Sequence, residues 1–110
     1  MRKEPPINDN RTRSGARPGY FLRLGDSAIP IGSPGLEIGR SPRCDVTLED
    51  GLASRRHARV AISERGVTVE DLGSANGVFV NGERVTGTRL LQIGDVLLIG
   101  RTKLARVGSR

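Results

Sequence analysis

From Tyr20 onward, short apolar segments follow one another, split by Gly, Pro, Asp, Asn or Ser at intervals of roughly 8–12 residues, the spacing of many short strands. The clearest segment is Arg56–Ser63. Ala58, Val60 and Ile62 alternate there with His57, Arg59 and Ala61, and a period of two marks a half-buried strand. Glu64-Arg65-Gly66 turns the chain into Val67–Asp71, where Val67 and Val69 alternate with Thr68 and Glu70, so the two segments read as a hairpin. Tyr20–Leu24 and Ser27–Ile31 flank a Gly25-Asp26 turn, and Leu36–Gly39 and Asp45–Leu48 are parted by Ser41-Pro42. Val78–Val80 runs into Asn81-Gly82, a pair that tolerates the positive φ angles of a type I′ turn. Leu91–Asp95 reads as a turn leading to the closing strands, Asp95–Gly100 and Thr102–Val107. No segment has the period of an amphipathic helix, and no solenoid repeat is present. The pattern predicts an all-β fold, a two-sheet β-sandwich of about eleven short strands. Its core is expected to draw on Leu22, Leu24, Ile38, Val46, Val60, Val67, Val69, Phe79, Val80, Ile93, Val96, Leu98 and Leu104, among others.

Composition narrows the function classes. A chain of 110 residues holds one core, here expected over residues 19–108. Residues 1–18 contain Pro5, Pro6 and Pro18, with Ile7 the only large aliphatic besides Met1, and read as a disordered basic tail. No apolar run approaches the roughly 18 residues of a membrane span, and no apolar stretch follows the first residues as a secretory leader requires. Cys44 is the only cysteine and His57 the only histidine, so neither an internal disulfide nor a zinc site is expected. These counts fit the cytoplasm, and they suggest no metal and no cofactor. The net charge is +6, but the tail alone carries five basic against two acidic side chains. The body is only mildly basic.

Polar chemistry concentrates in three loops: Gly39-Arg40-Ser41, Ser54-Arg55-Arg56-His57, and Asp71-Leu72-Gly73-Ser74-Ala75-Asn76-Gly77. The hairpin that links the last two can return them to one end of the sandwich. Together they offer guanidinium groups, hydroxyls, an amide and glycine-exposed N–H groups, all suited to an oxyanion. Arginine binds phosphate through a planar fork, and glycine-rich turns aim consecutive N–H groups at anions.

In this order, Gly39-Arg40, Ser54-x-x-His57, Asn76-Gly77 and Asn81-Gly82 resemble the forkhead-associated (FHA) domain family over roughly Tyr20 to Val107. The resemblance implies an FHA/SMAD-like sandwich whose loops at one end bind phosphothreonine peptides, in signalling by a Ser/Thr kinase that writes the mark. Carried over residue by residue, it makes Arg40 the arginine that holds the phosphate, Ser54 a hydroxyl donor to it, and Arg55 the basic residue beside it. Asn76 holds the peptide backbone. His57 supports the loops from beneath, with Gly39 and Gly77 serving the loop backbone. One departure stands out: many members carry Thr or Ser directly before the Asn-Gly pair, where this chain has Ala75, which leaves only a backbone N–H. Ser74 precedes it, and alternation points Ser74 elsewhere; Ser74 and Leu52 are candidates for reading the peptide. Thr12, the tail's only threonine, is a candidate phosphosite through which the tail could occupy the domain's own site.

Two other classes fit less well. Ser54, His57 and Asp71 are the right types for acyl transfer, but a spacing of three at a strand entrance sends Ser54 and His57 to opposite faces, and neither a G-x-S-x-G elbow nor a P-loop occurs. No catalytic residue is expected. Nonspecific nucleic-acid binding is the alternative, favoured by the charge and the arginines of the tail. Against it stand three aromatic residues in all, too few to stack bases, and no recognition helix.

Overall fold

The computed structural model describes residues 19–32 and 34–108; the expected tail, Thr12 included, lies outside the described residues. Within them the chain forms eleven strands and no helix. They are β1 (Phe21–Leu24), β2 (Ser27–Pro30), β3 (Leu36–Gly39), β4 (Val46–Thr47), β5 (Ala58–Ser63), β6 (Gly66–Asp71), β7 (Val78–Val80), β8 (Glu83–Arg84), β9 (Thr88–Leu91), β10 (Val96–Ile99) and β11 (Thr102–Val107). A six-stranded sheet has the order β2-β1-β11-β10-β7-β8, and a five-stranded sheet the order β4-β3-β5-β6-β9. Among these neighbours only β3 and β4 are parallel, with Ile38 opposite Val46.

The β5–β6 hairpin shows how the sequence sets the register. Gly66 takes a φ of 120°, and the Ser63 hydroxyl closes the turn, accepting from Arg65 N (3.1 Å) and donating to the Gly66 carbonyl (3.2 Å). Val60 then lies opposite Val69, and Ile62 opposite Val67, so one apolar face is presented to the other sheet. At Asn81-Gly82 both residues have positive φ, 51° and 86°, as the type I′ reading requires. Leu22, Ile31, Ile38, Val60, Val69, Val78, Val80, Leu97, Ile99 and Leu104 are fully buried between the sheets.

Several expectations need correction. β5 begins at Ala58, so His57 is not a strand residue, and the parity argument that separated it from Ser54 does not apply. β4 is two residues long, and β8 and β9 were not foreseen. In β10 the inward residues are Leu97 and Ile99; Val96 is 37% exposed and Leu98 only half-buried. The cause is a run of four apolar residues with no polar partner to mark its faces. In β7 the small Val78 and Val80 point inward, and Phe79 lies half-buried on the outer face, with Arg84 stacked over it at 6.0 Å. Ile93 sits in the β9–β10 turn and is 62% exposed.

The registers define two ends. The β5–β6, β7–β8 and β9–β10 turns share one. The β3–β4, β4–β5 and β6–β7 loops share the other with the β10–β11 turn, and these bring together the polar clusters.

Candidate binding site at the loop end

Gly39 is where the site begins. A side chain there would run into the Arg55 carbonyl, and would stand 2.8 Å from the Ser54 carbonyl, so only glycine lets the two backbones meet. They are zipped together: Arg40 N donates to Ser54 O (3.0 Å) and Ser41 N to Arg55 O (3.1 Å). The buried Cys44 thiol also donates to Arg55 O (3.1 Å), and burial pushes that thiol's pKa up. Arg40 and Ser54, fourteen positions apart in sequence, thus become neighbours. The Arg40 side chain is fixed by Nε donating to the Ala53 carbonyl (3.0 Å), which leaves its two terminal nitrogens as donors at an exposed position.

His57 joins the second and third loops from below. It is fully buried. Nδ1 accepts from Ser54 N (2.9 Å), so the ring proton resides on Nε2, which donates to the Gly77 carbonyl at 2.7 Å. The third loop folds on itself through Asp71: its carboxylate accepts from Ser74 N (2.7 Å) and Ser74 Oγ (3.1 Å), and Ser74 Oγ accepts from Gly77 N (2.9 Å). The Ser74 hydroxyl is therefore engaged inside the loop, where it shapes the turn.

Two further bonds close this loop over the second. Ala75 N donates to Ser54 Oγ (3.0 Å), and Asn76 Nδ2 donates to the Leu52 carbonyl (2.8 Å). The expected anion-facing N–H of Ala75 is thus engaged by Ser54. The consequence is useful: with a lone pair of Oγ occupied, the Ser54 hydroxyl proton is turned to other acceptors. Asn76 likewise keeps its amide oxygen as an acceptor. Leu52, at the loop tip, is 42% exposed.

Sequence reasoning missed the anchor of the second loop. Asp50 Oδ2 accepts from Arg101 N (2.7 Å) and Thr102 Oγ1 (2.7 Å) on the β10–β11 turn, while Oδ1 accepts from Leu52 N (2.9 Å). These bonds, the Thr102 hydroxyl foremost, hold its carboxyl below the ordinary aspartate range. No local pattern marks its anchoring role, because the two partners on the β10–β11 turn are about fifty residues away. The adjacent arginines divide their work. Arg56 forms a two-pronged pair with Glu37 on the outer sheet face (2.9 and 2.8 Å), joined by Arg59 at 3.4 Å. Among the described residues the exposed Arg55 side chain has no carboxylate partner.

The loop end therefore presents Arg40, Arg55 and the Ser54 proton as donors, flanked by the Asn76 amide. The His57 ring beneath them is occupied at both nitrogens, by Ser54 N and the Gly77 carbonyl. A depression of about 750 Å³, lined by Ser63, Arg65, Thr68, Thr88, Arg89 and Leu90 among others, lies on the outer face of β5, β6 and β9. It shares no residue with the loops. An extended peptide gripped by its phosphate needs no enclosed cavity.

Comparison with known proteins agrees with this arrangement. The family model for the FHA domain matches residues 36–100, which span all three loops. The chain belongs to the FHA domain family. The oxoglutarate dehydrogenase inhibitor of Corynebacterium efficiens is 40% identical over 74 residues, 67% of this chain and 51% of that protein. The chain spans about half the length of the curated relatives it matches first. Among solved structures, the FHA domain of CT664 from Chlamydia trachomatis superposes with a TM-score of 0.78 at 28% identity, covering 84% of this chain and 99% of that one. A structure described as an analysis of phosphothreonine-dependent FHA domain interactions gives 0.74 at 27% identity, covering 80% and 94%. The FHA sandwich expected from the motifs is the fold observed.

Proposed function

We propose that this FHA domain is a phosphothreonine-dependent binding module in Ser/Thr kinase signalling, with no catalytic activity of its own, and that it works in the cytoplasm. One observation carries the reading. The backbone zipper at Gly39–Ser41 and Ser54–Arg55 sets the Arg40 guanidinium and the Ser54 hydroxyl at one loop end, each already oriented by a neutral bond. A phosphate dianion is held there by Arg40, Ser54 and Arg55, and the Asn76 amide oxygen takes a peptide N–H. Ala75 acts through its backbone, turning the Ser54 proton outward. Gly39, His57 and Gly77 maintain the loops, and Leu52 packs against the peptide. Preference for threonine over serine comes from its methyl, worth about 0.8 kcal/mol. Micromolar affinity, roughly −7 to −8 kcal/mol, suits a mark written by a kinase and erased by a phosphatase.

The test is binding of phosphothreonine, phosphoserine and unmodified peptide libraries to the parent and to Arg40→Ala. A charge-assisted hydrogen bond is worth roughly 1.5–3 kcal/mol, so the variant should bind more than about tenfold weaker. Equal binding by both proteins refutes the reading. Nucleic acid is the less favoured partner: paired Arg56, Arg59 and Arg89 remove three cations from any phosphate-tracking surface.

The tail provides a partner within the chain. Thr12 stands eight residues before Tyr20, and the chain enters β1 at the turn end, beside Val107. Eight extended residues reach about 27 Å. The six-residue β11, which spans the sandwich from the loop end at Thr102 to the turn end at Val107, is about 20 Å long. Phosphorylated Thr12 thus reaches its own site only when the tail is nearly taut. Binding within the chain shifts the NMR signals of the 40 and 54 loops at every protein concentration. Shifts that fade on dilution indicate exchange between copies, and none at all discards Thr12.

A further inference from the structure

Arg84 lies on β8, the two-residue edge strand, opposite Phe79 of β7. Its guanidinium is stacked over the Phe79 ring at 6.0 Å and also lies against Gly77, where a Cβ would stand 3.0 Å from the guanidinium carbon. The φ of 88° at Gly77 favours glycine. The charge is thus placed one residue beyond Asn76, on the rim of the loop end. The preceding residue, Glu83, does not neutralise it, because Glu83 pairs with Arg89 at 2.8 Å. Among the described residues Arg84 has no carboxylate within ion-pair distance. Arg56 and Arg59, beside Glu37, and Arg89, beside Glu83, are all paired.

We propose that Arg84 forms a second anion subsite, which receives the carboxylate of an Asp or Glu flanking the phosphothreonine. This rests on the reading of Asn76 as the residue that holds the peptide backbone. A peptide so held runs extended at about 3.3 Å per residue, which brings a side chain within three positions of the phosphothreonine to the rim at Gly77. The guanidinium suits the task. It rests near the Phe79 ring and against Gly77 on an exposed residue, and its planar fork of N–H groups can meet a carboxylate two-pronged. Lysine has no plane to lay on the Gly77 peptide.

The experiment uses degenerate peptides with a central phosphothreonine and Glu, Ala or Lys fixed in turn at each position within three residues of it. They are titrated into the parent, Arg84→Gln and Arg84→Glu. The parent should gain about two- to fivefold from Glu over Ala at one or two positions, a gain that shrinks with added salt. Arg84→Gln should lose that gain while still binding the alanine peptide as the parent does, and Arg84→Glu should prefer Lys at the same positions. A flat scan in the parent, or an acidic preference that survives in Arg84→Gln, overturns the subsite and leaves phosphothreonine binding standing. Failure of the parent to bind any phosphopeptide overturns both readings. Arg84 is exposed on an edge strand, and unchanged thermal midpoints verify that the variants are folded.

Discussion

The two ends of the sandwich are built from the same residue types and spend them differently. At the turn end polar groups close on one another. Asn81 donates to Asp95 (3.0 Å) and accepts from Val96 N (2.9 Å), and Asp95 accepts from Gln92 N (2.8 Å), so both Asp95 oxygens and both polar atoms of the Asn81 amide are matched. At the loop end the neutral and acidic groups are satisfied in the same manner by Asp50, Asp71, His57 and Ser54, but three cations unpaired among the described residues gather around them, where the turn end has the exposed Arg65 on the β5–β6 turn. Arg40 uses only Nε, and Arg55 and Arg84 face solvent without a counter-ion among the described residues. Rigid scaffolding with unspent positive charge on top is what an anion site requires, because the donors need not reorganise when the ligand arrives.

The sharpest contrast is between glycines. Gly39→Ala should destabilise the domain by about 3 kcal/mol or more, since its methyl meets backbone carbonyls that cannot move without opening the zipper. Gly94→Ala at the turn end meets nothing within 4 Å and bears only the strain of a φ of 94°, about 1 kcal/mol. Denaturant unfolding of both variants checks the order; equal losses would mean that the loops are not locked at Gly39. His57→Ala should also cost about 3 kcal/mol, by removing a fully buried ring bonded to two loops.

Next in size is a gain. Ala75→Thr places a hydroxyl beside the proposed phosphate, and phosphothreonine peptides should bind up to about tenfold tighter by calorimetry. No change would show that the phosphate sits away from Ala75. Asp50→Ala should weaken peptide binding roughly threefold to tenfold by loosening the loop that holds Leu52 and Ala53. Asp95→Ala should leave affinity unaltered. A matching loss in both would erase the distinction between the ends.

The smallest effect is that of acid. The carboxyls of Glu37, Asp50 and Asp95 are all held below their ordinary values, chiefly by bonds from Arg56, Thr102 and Gln92 N respectively. Their folded pKa values lie below the unfolded ones, so the stability they contribute is complete above the ordinary values near 4. It is lost as pH falls further, through the folded values. Thermal midpoints should be level towards neutrality and drop below about pH 4. Peptide affinity should decline earlier, near pH 6, where the phosphate takes up its second proton.

Much of this was legible in the sequence, and the failures have physical causes. The β5–β6 hairpin and the Asn81-Gly82 turn could be read because alternation and positive-φ residues are local signals. The inner face of β10 could not, because Val96, Leu97, Leu98 and Ile99 are all apolar, and the choice depends on the partner strands. Phe79 is among the expected core residues, yet Val78 and Val80 take the inward positions of β7. Arg40, Ser54, Asn76 and His57 were visible as motif residues. Asp50 and Arg84 were not, since both act across distances that only the assembled sheets define.

The most direct test of the account is an amide NMR titration of the domain with a phosphothreonine peptide library. The account predicts shifts at residues 40–41, 54–55 and 74–77, with those of residues 64–66, 81–82 and 92–95 unmoved. Shifts confined to the turn end, or to the depression over β6 and β9, would contradict it.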